Sequence, residues 1–172
     1  MQSEPVKNMD YHDDFTILQI TDLHWDSGSQ LGKGDLGAAQ YLDKIISLTL
    51  EHSDLIEFTG DTFMLSTKRT VKTFIDFITE KQIPYCMVWG NHDREGTYNP
   101  NWLSHQFLNA PYCLYTEIEN DNLHGRSNYV INLVNDHDVA WQIFQLDSGA
   151  SYREGAKDIS LTYDYIRPEQ LD

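Results

Sequence analysis

Cysteine and basic residues are scarce in this sequence of 172 residues. It has two cysteines, Cys86 and Cys113, each inside an apolar stretch, which excludes a disulfide scaffold and predicts buried free thiols in a reducing compartment. Lysine and arginine together number 12 and aspartate and glutamate 27, so the formal net charge is −15. Such a surface repels phosphate backbones and anionic lipid. We therefore expect no nucleic-acid binding through a basic patch and no binding to a membrane surface.

Long hydrophobic runs and glycine-rich phosphate-binding fingerprints are also missing. No stretch approaches the roughly 18 apolar residues of a membrane span, and the first twenty residues lack the apolar core of a signal peptide. Neither GxGxxG nor GxxxxGK[ST] occurs. By contrast, 40% hydrophobic residues, with 10 Tyr, 7 Phe and 4 Trp, are too many for a disordered acidic chain. The composition therefore predicts one folded, soluble domain in the cytoplasm.

The first half of the chain alternates short apolar runs with helical periodicity. Residues 1–14 show no period and much charge, and we expect a mobile arm there, ahead of a domain spanning 15–172. Three short apolar runs predict strands: 15–20, 55–58 and 85–89. Apolar residues at helical spacing predict two intervening helices: one at about 37–51, after a glycine-rich loop, and one marked by Val71, Phe74, Ile75 and Ile78. This alternation is typical of a mostly parallel sheet covered by helices.

Beyond Asp93 the pattern changes. A short helix is predicted at 101–109, and two strands joined by a tight polar turn are predicted at 127–134 and 139–146. Pro168 suits the first turn of another helix near the end of the sequence. The second half therefore predicts a hairpin rather than further strand–helix units.

Polar segments directly follow the three predicted strands of the first half: TDLHWD, TGDTF and GNHDRE. Ligands gather at the carboxyl ends of parallel strands, so the carboxylate, imidazole and carboxamide groups of these segments are candidate metal ligands. Mixed oxygen and imidazole donors suit Mn²⁺, Fe or Zn²⁺ better than Ca²⁺. Each segment alone has a plainer explanation as a solvated pair, a cap or a glycine turn. Their joint occurrence, each after a strand, favours a metal site.

Three motifs, DLH at 22–24, GD at 60–61 and GNHD at 90–93, resemble the signature of the calcineurin-like metallophosphoesterases, which include purple acid phosphatases. The resemblance is clearest from Phe15 to Asp93 and is less specific in QLDSG and the later YDYIRPEQ. It implies an α/β fold, a four-layer α/β/β/α sandwich. The chain would then hold the N-terminal part of that fold and be truncated at its C-terminus.

The resemblance implies two divalent or trivalent metal ions, Mn, Fe or Zn. Asp22 and His24 would bind one ion, Asp61 would bridge both, and Asn91 would bind the second. A bridging carboxylate offsets the repulsion between two closely spaced cations. The implied reaction is hydrolysis of a phosphomonoester or phosphodiester by a metal-bound hydroxide.

The two residues after Asn91 carry the implied proton chemistry. His92 would lie over the leaving group as a general acid, and Asp93 would accept a hydrogen bond that orients His92. Trp25 and Trp89 flank the motifs and would either pack in the core or stack on an aromatic substrate.

In its second half the sequence departs from the family pattern. It has no Gly-His-x-His pair, and we expect structural or solvated roles for the remaining histidines: His12, His52, His105, His124 and His137. The second metal site would be incomplete, held by Asp61 and Asn91 alone, and activity would be weak. Exposed strand edges would favour association with a complementary fragment or self-association. The alternative function is therefore a non-catalytic chain that acts by binding another chain.

Overall fold

The secondary structure alternates strands and helices in the first half of the chain and is mainly β in the second. A computed structural model describes residues 6–25, 36–49, 53–94, 100–118, 123–136, 138–152 and 162–171. Within these ranges the elements are β1 (Val6–Asp10), β2 (Ile17–Ile20), α1 (Leu36–Thr49), β3 (Leu55–Phe58), α2 (Lys68–Lys81), β4 (Tyr85–Met87), α3 (Pro100–Leu108), β5 (Tyr129–Asn135), β6 (Asp138–Gln145), β7 (Ser151–Tyr152) and β8 (Thr162–Tyr163). Short 3₁₀ turns follow at His92–Arg94 and Pro168–Gln170. The glycine-rich loop predicted before α1 lies outside the described residues.

A parallel sheet with strand order β2–β3–β4 confirms the prediction from the first half. Ile17 pairs with Leu55, and Ile56 pairs with Tyr85. Helix α2 packs on this sheet, because the Phe74 ring lies 5.2 Å from that of Phe58 in an edge-to-face contact. The helix begins at a favourable cap, since the Thr67 side chain accepts a hydrogen bond from the Thr70 amide.

A second sheet with order β1–β5–β6 corrects the expectation of a mobile arm over residues 1–14 at residues 6–10, while residues 1–5 lie outside the described residues. Strand β1 pairs in parallel with β5, from Val6 opposite Val130 to Asp10 opposite Val134. Its sequence VKNMD has little β-propensity, and its side chains alternate only between exposed and half-buried. The strand therefore depends on the backbone ladder to β5, which local periodicity does not reveal.

The two sheets pack face to face, and α2 lies on the outer side of the first. Because side chains alternate along a strand, Phe58 and Glu57 of β3 point to opposite faces. Phe58 meets α2, whereas the Glu57 carboxylate accepts a hydrogen bond from Gln145 of β6. Across the same interface, the Tyr129 hydroxyl accepts a hydrogen bond from the Met87 amide and donates one to the Met87 carbonyl. The helix, sheet and sheet layers confirm the α/β fold class.

Both cysteines are free thiols, as the sequence predicts, with Cys86 buried and Cys113 half-buried. Burial raises the pKa of the Cys86 thiol well above its usual value. Among the described residues, none of the helices is both long and apolar enough to cross a bilayer.

Strand β6 is an exposed edge of the second sheet. Among the described strands it has a neighbour on one side alone, β5. Large apolar side chains along it face solvent, with Trp141 63% and Phe144 61% exposed. Asp138 is the one charged residue of the strand, although the chain carries a charge of −15. An apolar, weakly charged edge of this kind favours pairing with another strand.

We predict that two copies of this chain associate through β6, because it combines open backbone groups with low charge. Sedimentation or light scattering should give a mass that rises toward twice that of one chain with concentration. Trp141→Lys should weaken the association at least about tenfold, since it places charge in a desolvated contact. Tyr41→Lys on α1, at a 73% exposed aromatic, is the matched control and should leave it unchanged. A monomer at all concentrations would contradict this prediction.

Candidate metal centre

The loops that leave β2 and β3 stay side by side beyond the ends of their strands. The Asp22 amide donates to the Gly60 carbonyl at 3.1 Å, and the His24 amide donates to the Asp61 carbonyl at 3.0 Å. Trp25 extends this pairing, since its amide donates to the Thr62 carbonyl. The parallel register of the strands therefore continues into the loops and brings the DLH and GD motifs together.

Backbone strain is concentrated at these motifs. Six non-glycine residues in the described part have positive φ, and three of them are predicted ligands: Asp22, His24 and Asp61, at 51°, 49° and 50°. The left-handed region costs residues other than glycine of order 1 to 3 kcal/mol each and is often found at functional sites. The adjacent backbone hydrogen bonds hold these residues in that conformation.

The third motif meets the second at Asp61. One oxygen of its carboxylate, Oδ1, accepts a hydrogen bond from the His92 amide at 3.0 Å. Gly90 lies so close that a Cβ at its position would be 2.1 Å from this same oxygen and 2.4 Å from the Asp61 amide nitrogen. A residue with any side chain at position 90 would therefore displace the Asp61 carboxylate.

Asp93 connects the third motif to the second through hydrogen bonds of its buried carboxylate. Its carboxylate is buried, and it accepts hydrogen bonds from the amides of Phe63 and Gly90, both at 2.8 Å. Burial raises the pKa of Asp93 to about 6, whereas these two hydrogen bonds lower it. The structure thus shows Asp93 holding the loops in place. The hydrogen bond expected between Asp93 and His92 stays a prediction.

Three predicted site residues bring their donor atoms together. Atoms of His24, Asp61 and His92 all lie within 4.8 Å of one another. The rings of His24 and His92 meet edge to face with their centres 5.0 Å apart. His24 Nδ1 is buried and has no hydrogen-bond partner within the described part of the chain. This unsatisfied nitrogen and the mixed nitrogen and oxygen donors fit a transition-metal ion.

The remaining predicted ligands border a pocket at the ends of the strands. Asp22, Asp61 and Asn91 are among the residues that line this pocket, which has a volume of about 170 Å³. Asp22 is the most open of the three, with a side chain 64% exposed, and its carboxylate lies 4.0 Å from His24 Nε2. The six residues predicted from the three motifs thus share one region, with Asp93 buried behind it.

Sequence reasoning missed a second part of the wall of this pocket. Ser148, Gly149 and Asp164 border it there. QLDSG and YDYIRPEQ belong to the family resemblance, but no site residue was predicted in them, although QLDSG follows strand β6 much as each metal motif follows a strand. That placement is the signal that could have identified the wall.

Asp147, buried beside this wall, fixes it to the third motif. Its carboxylate pairs with Arg94 and accepts hydrogen bonds from the backbone amides of Arg126 and Gly149. Its carbonyl accepts a hydrogen bond from Gln170. One buried acid thus connects four segments that are distant in sequence.

The other described histidines lie apart from the three motifs, and one of them contacts the pocket wall formed by Ser148, Gly149 and Asp164. His12 pairs with Asp54 at 3.0 Å, and His105 is an exposed residue of α3. His124 lies 3.1 Å from the Asp164 carboxylate. His52 and His137 are outside the described residues. Trp25 and Trp89 are both buried in the core, which favours packing over substrate stacking.

Comparison with known proteins identifies relatives of this chain. A family described as calcineurin-like phosphoesterase matches residues 15–164. Phosphatase DCR2 of Saccharomyces cerevisiae is 30% identical over 91% of this chain and 30% of its own length. Two Arabidopsis thaliana proteins named probable inactive purple acid phosphatases 29 and 28 are 27% and 33% identical, over 91% and 58% of this chain. The chain covers 45% and 29% of those two proteins, and thus less than half of each of these relatives.

We predict that Gly90→Ala lowers the affinity for Mn²⁺ at least about tenfold. The added methyl group would overlap the Asp61 carboxylate, which must move away from its place beside His92. Isothermal titration of purified protein measures the affinity, and far-UV circular dichroism checks that the fold is retained. Wild-type affinity in a folded Gly90→Ala variant would show that Asp61 does not need its present position.

Proposed function

The chain belongs to the calcineurin-like phosphoesterase family, and from this premise we propose that it is a metal-dependent phosphoesterase acting on phosphomonoesters or phosphodiesters. The observation that carries the proposal is the meeting of His24, Asp61 and His92 donor atoms within 4.8 Å at the ends of three parallel strands. The 170 Å³ pocket beside them gives a phosphoryl group access to this edge.

The residues present fit the metal ions that the family uses. Asp22 and His24 would hold one ion, Asp61 would hold both, and Asn91 would hold the second. Bound ions of this kind activate water and neutralise phosphoryl oxygens. Mn, Fe and Zn all suit this mixture of imidazole, carboxylate and carboxamide ligands.

Asp61 would contribute orientation as well as charge. Its carboxylate is held by the His92 amide, and its carbonyl is held by the His24 amide. A ligand fixed by such contacts loses little side-chain freedom when it binds an ion, which favours affinity. Asp93 supports the same geometry from the buried side through its bonds to Gly90 and Phe63.

His92 would act as the general acid. Its imidazole lies against that of His24, close to the donor atoms of the site. From there it would donate a proton to the ester oxygen that leaves with the alcohol. This proton matters most for a poor leaving group, since an unprotonated alkoxide is a strong base.

Asp61→Asn should reduce the amount of bound metal. It should also reduce turnover of p-nitrophenyl phosphate or its bis ester at least about 100-fold. Replacing the carboxylate removes the charge that holds the cations. Metal analysis and a chromogenic assay with added Mn²⁺ measure the two effects, with a chelator as a further check. Asp76→Asn, at an exposed carboxylate of α2, is the matched control. Full turnover by Asp61→Asn, or turnover that resists the chelator, would contradict the proposed function.

His92→Ala should keep its metal and lose turnover selectively. We expect a loss of about 100-fold or more on an alkyl phosphate, and a smaller loss on p-nitrophenyl phosphate, whose leaving group needs no proton. His105→Ala, at an exposed histidine of α3, should behave as wild type. Equal losses on both substrates together with loss of metal would instead make His92 a ligand.

A non-catalytic binding domain is the second candidate function. The exposed apolar edge β6 favours it, because such an edge suits contact with another strand. Association that depends on Trp141, with less than one metal per chain and no turnover under any added ion, would support this candidate over the enzyme.

A further inference from the structure

The pocket at the candidate centre is small and partly open to solvent. Its volume of about 170 Å³ compares with roughly 300 to 1,000 Å³ for sites that bury drug-sized ligands. If the proposed function holds, a phosphoryl group bound at the strand ends would leave the organic part of the substrate at the open mouth of the pocket.

Tyr163 stands at this mouth. It borders the pocket and is 81% exposed. Among the described residues that line the pocket it is the one aromatic residue. Phosphoryl binding at the strand ends would place the organic group of an ester within reach of this residue.

The backbone at Tyr163 is fixed by its neighbours. Tyr163 pairs with Ser151 between β8 and β7. The side chain of the next residue, Asp164, is 7% exposed, and its carboxylate lies 2.6 Å from Arg167 and 3.1 Å from His124. Gly149 permits this close packing, since a Cβ there would lie 2.6 Å from the Asp164 carboxylate. An aromatic side chain on a fixed backbone loses little entropy when a ligand packs on it.

We infer that Tyr163 is a specificity-determining residue and that the preferred substrates carry a flat aromatic or heteroaromatic group next to the phosphate. A tyrosine ring offers a large apolar face with two rotatable bonds, and offset or edge contacts between rings add to simple burial. This inference rests on the proposed function, because it requires phosphate to bind at the strand ends. The magnitude of ring–ring contacts predicts a preference of about three- to tenfold.

Phenylphosphonate and methylphosphonate test the inference without turnover, since neither has a leaving group. Both are titrated into Mn²⁺-loaded protein by calorimetry, and the ratio of their dissociation constants is the readout. The wild type should favour phenylphosphonate. Tyr163→Ala should lower this ratio about three- to tenfold and leave methylphosphonate binding unchanged, while Tyr163→Phe should keep the ratio. Tyr41→Ala, at an exposed tyrosine of α1, is the matched control.

The outcomes separate this inference from the proposed function. An unchanged ratio in Tyr163→Ala, with both phosphonates bound, would overturn the role of Tyr163 and leave the phosphoesterase proposal standing. Absence of binding by either phosphonate, together with absence of turnover, would overturn both.

Discussion

The candidate site depends on the way Asp61 joins three loops. Its carbonyl accepts a hydrogen bond from the His24 amide of the first loop, and its carboxylate accepts one from the His92 amide of the third loop. Donor atoms from three separate strand ends thus take their positions from a single residue. Because these hydrogen bonds are made by backbone amides of the protein itself, they would limit the further ordering that the loops need when an ion binds.

Holding the loops this way has an energetic cost that other parts of the site offset. The left-handed conformations at Asp22, His24 and Asp61 are unfavourable, and so is the burial of the Asp93 carboxylate. Two amide hydrogen bonds to Asp93 and the continued pairing of the loops oppose both costs. Phe74 of α2 also packs edge to face against Phe58 of β3 and against Phe63, two residues after Asp61, and this contact joins the helix to the second loop.

Local patterns in the sequence predict the first sheet well and the rest of the site only in part. The apolar run at 55–58 matches β3, and the periodicity at Val71, Phe74 and Ile78 marks α2, because each pattern reflects burial of that same segment. Strand β1 was missed because its stability comes from β5, and the wall formed by Gly149 and Asp164 was missed for a similar reason. Its position depends on Asp147, which contacts segments far away along the chain. Pairings of this kind leave no periodic trace in a single sequence.

The parallel pairing of β1 with β5 has a consequence for how the protein is made. Val6 and Val130 lie opposite one another although 124 positions separate them, so closing this pair costs more loop entropy than any contact within the first sheet. During synthesis β1 leaves the ribosome long before β5 exists. Strand β1 can dock only once β5 has been made, so it waits longer for its partner than any strand of the first sheet does.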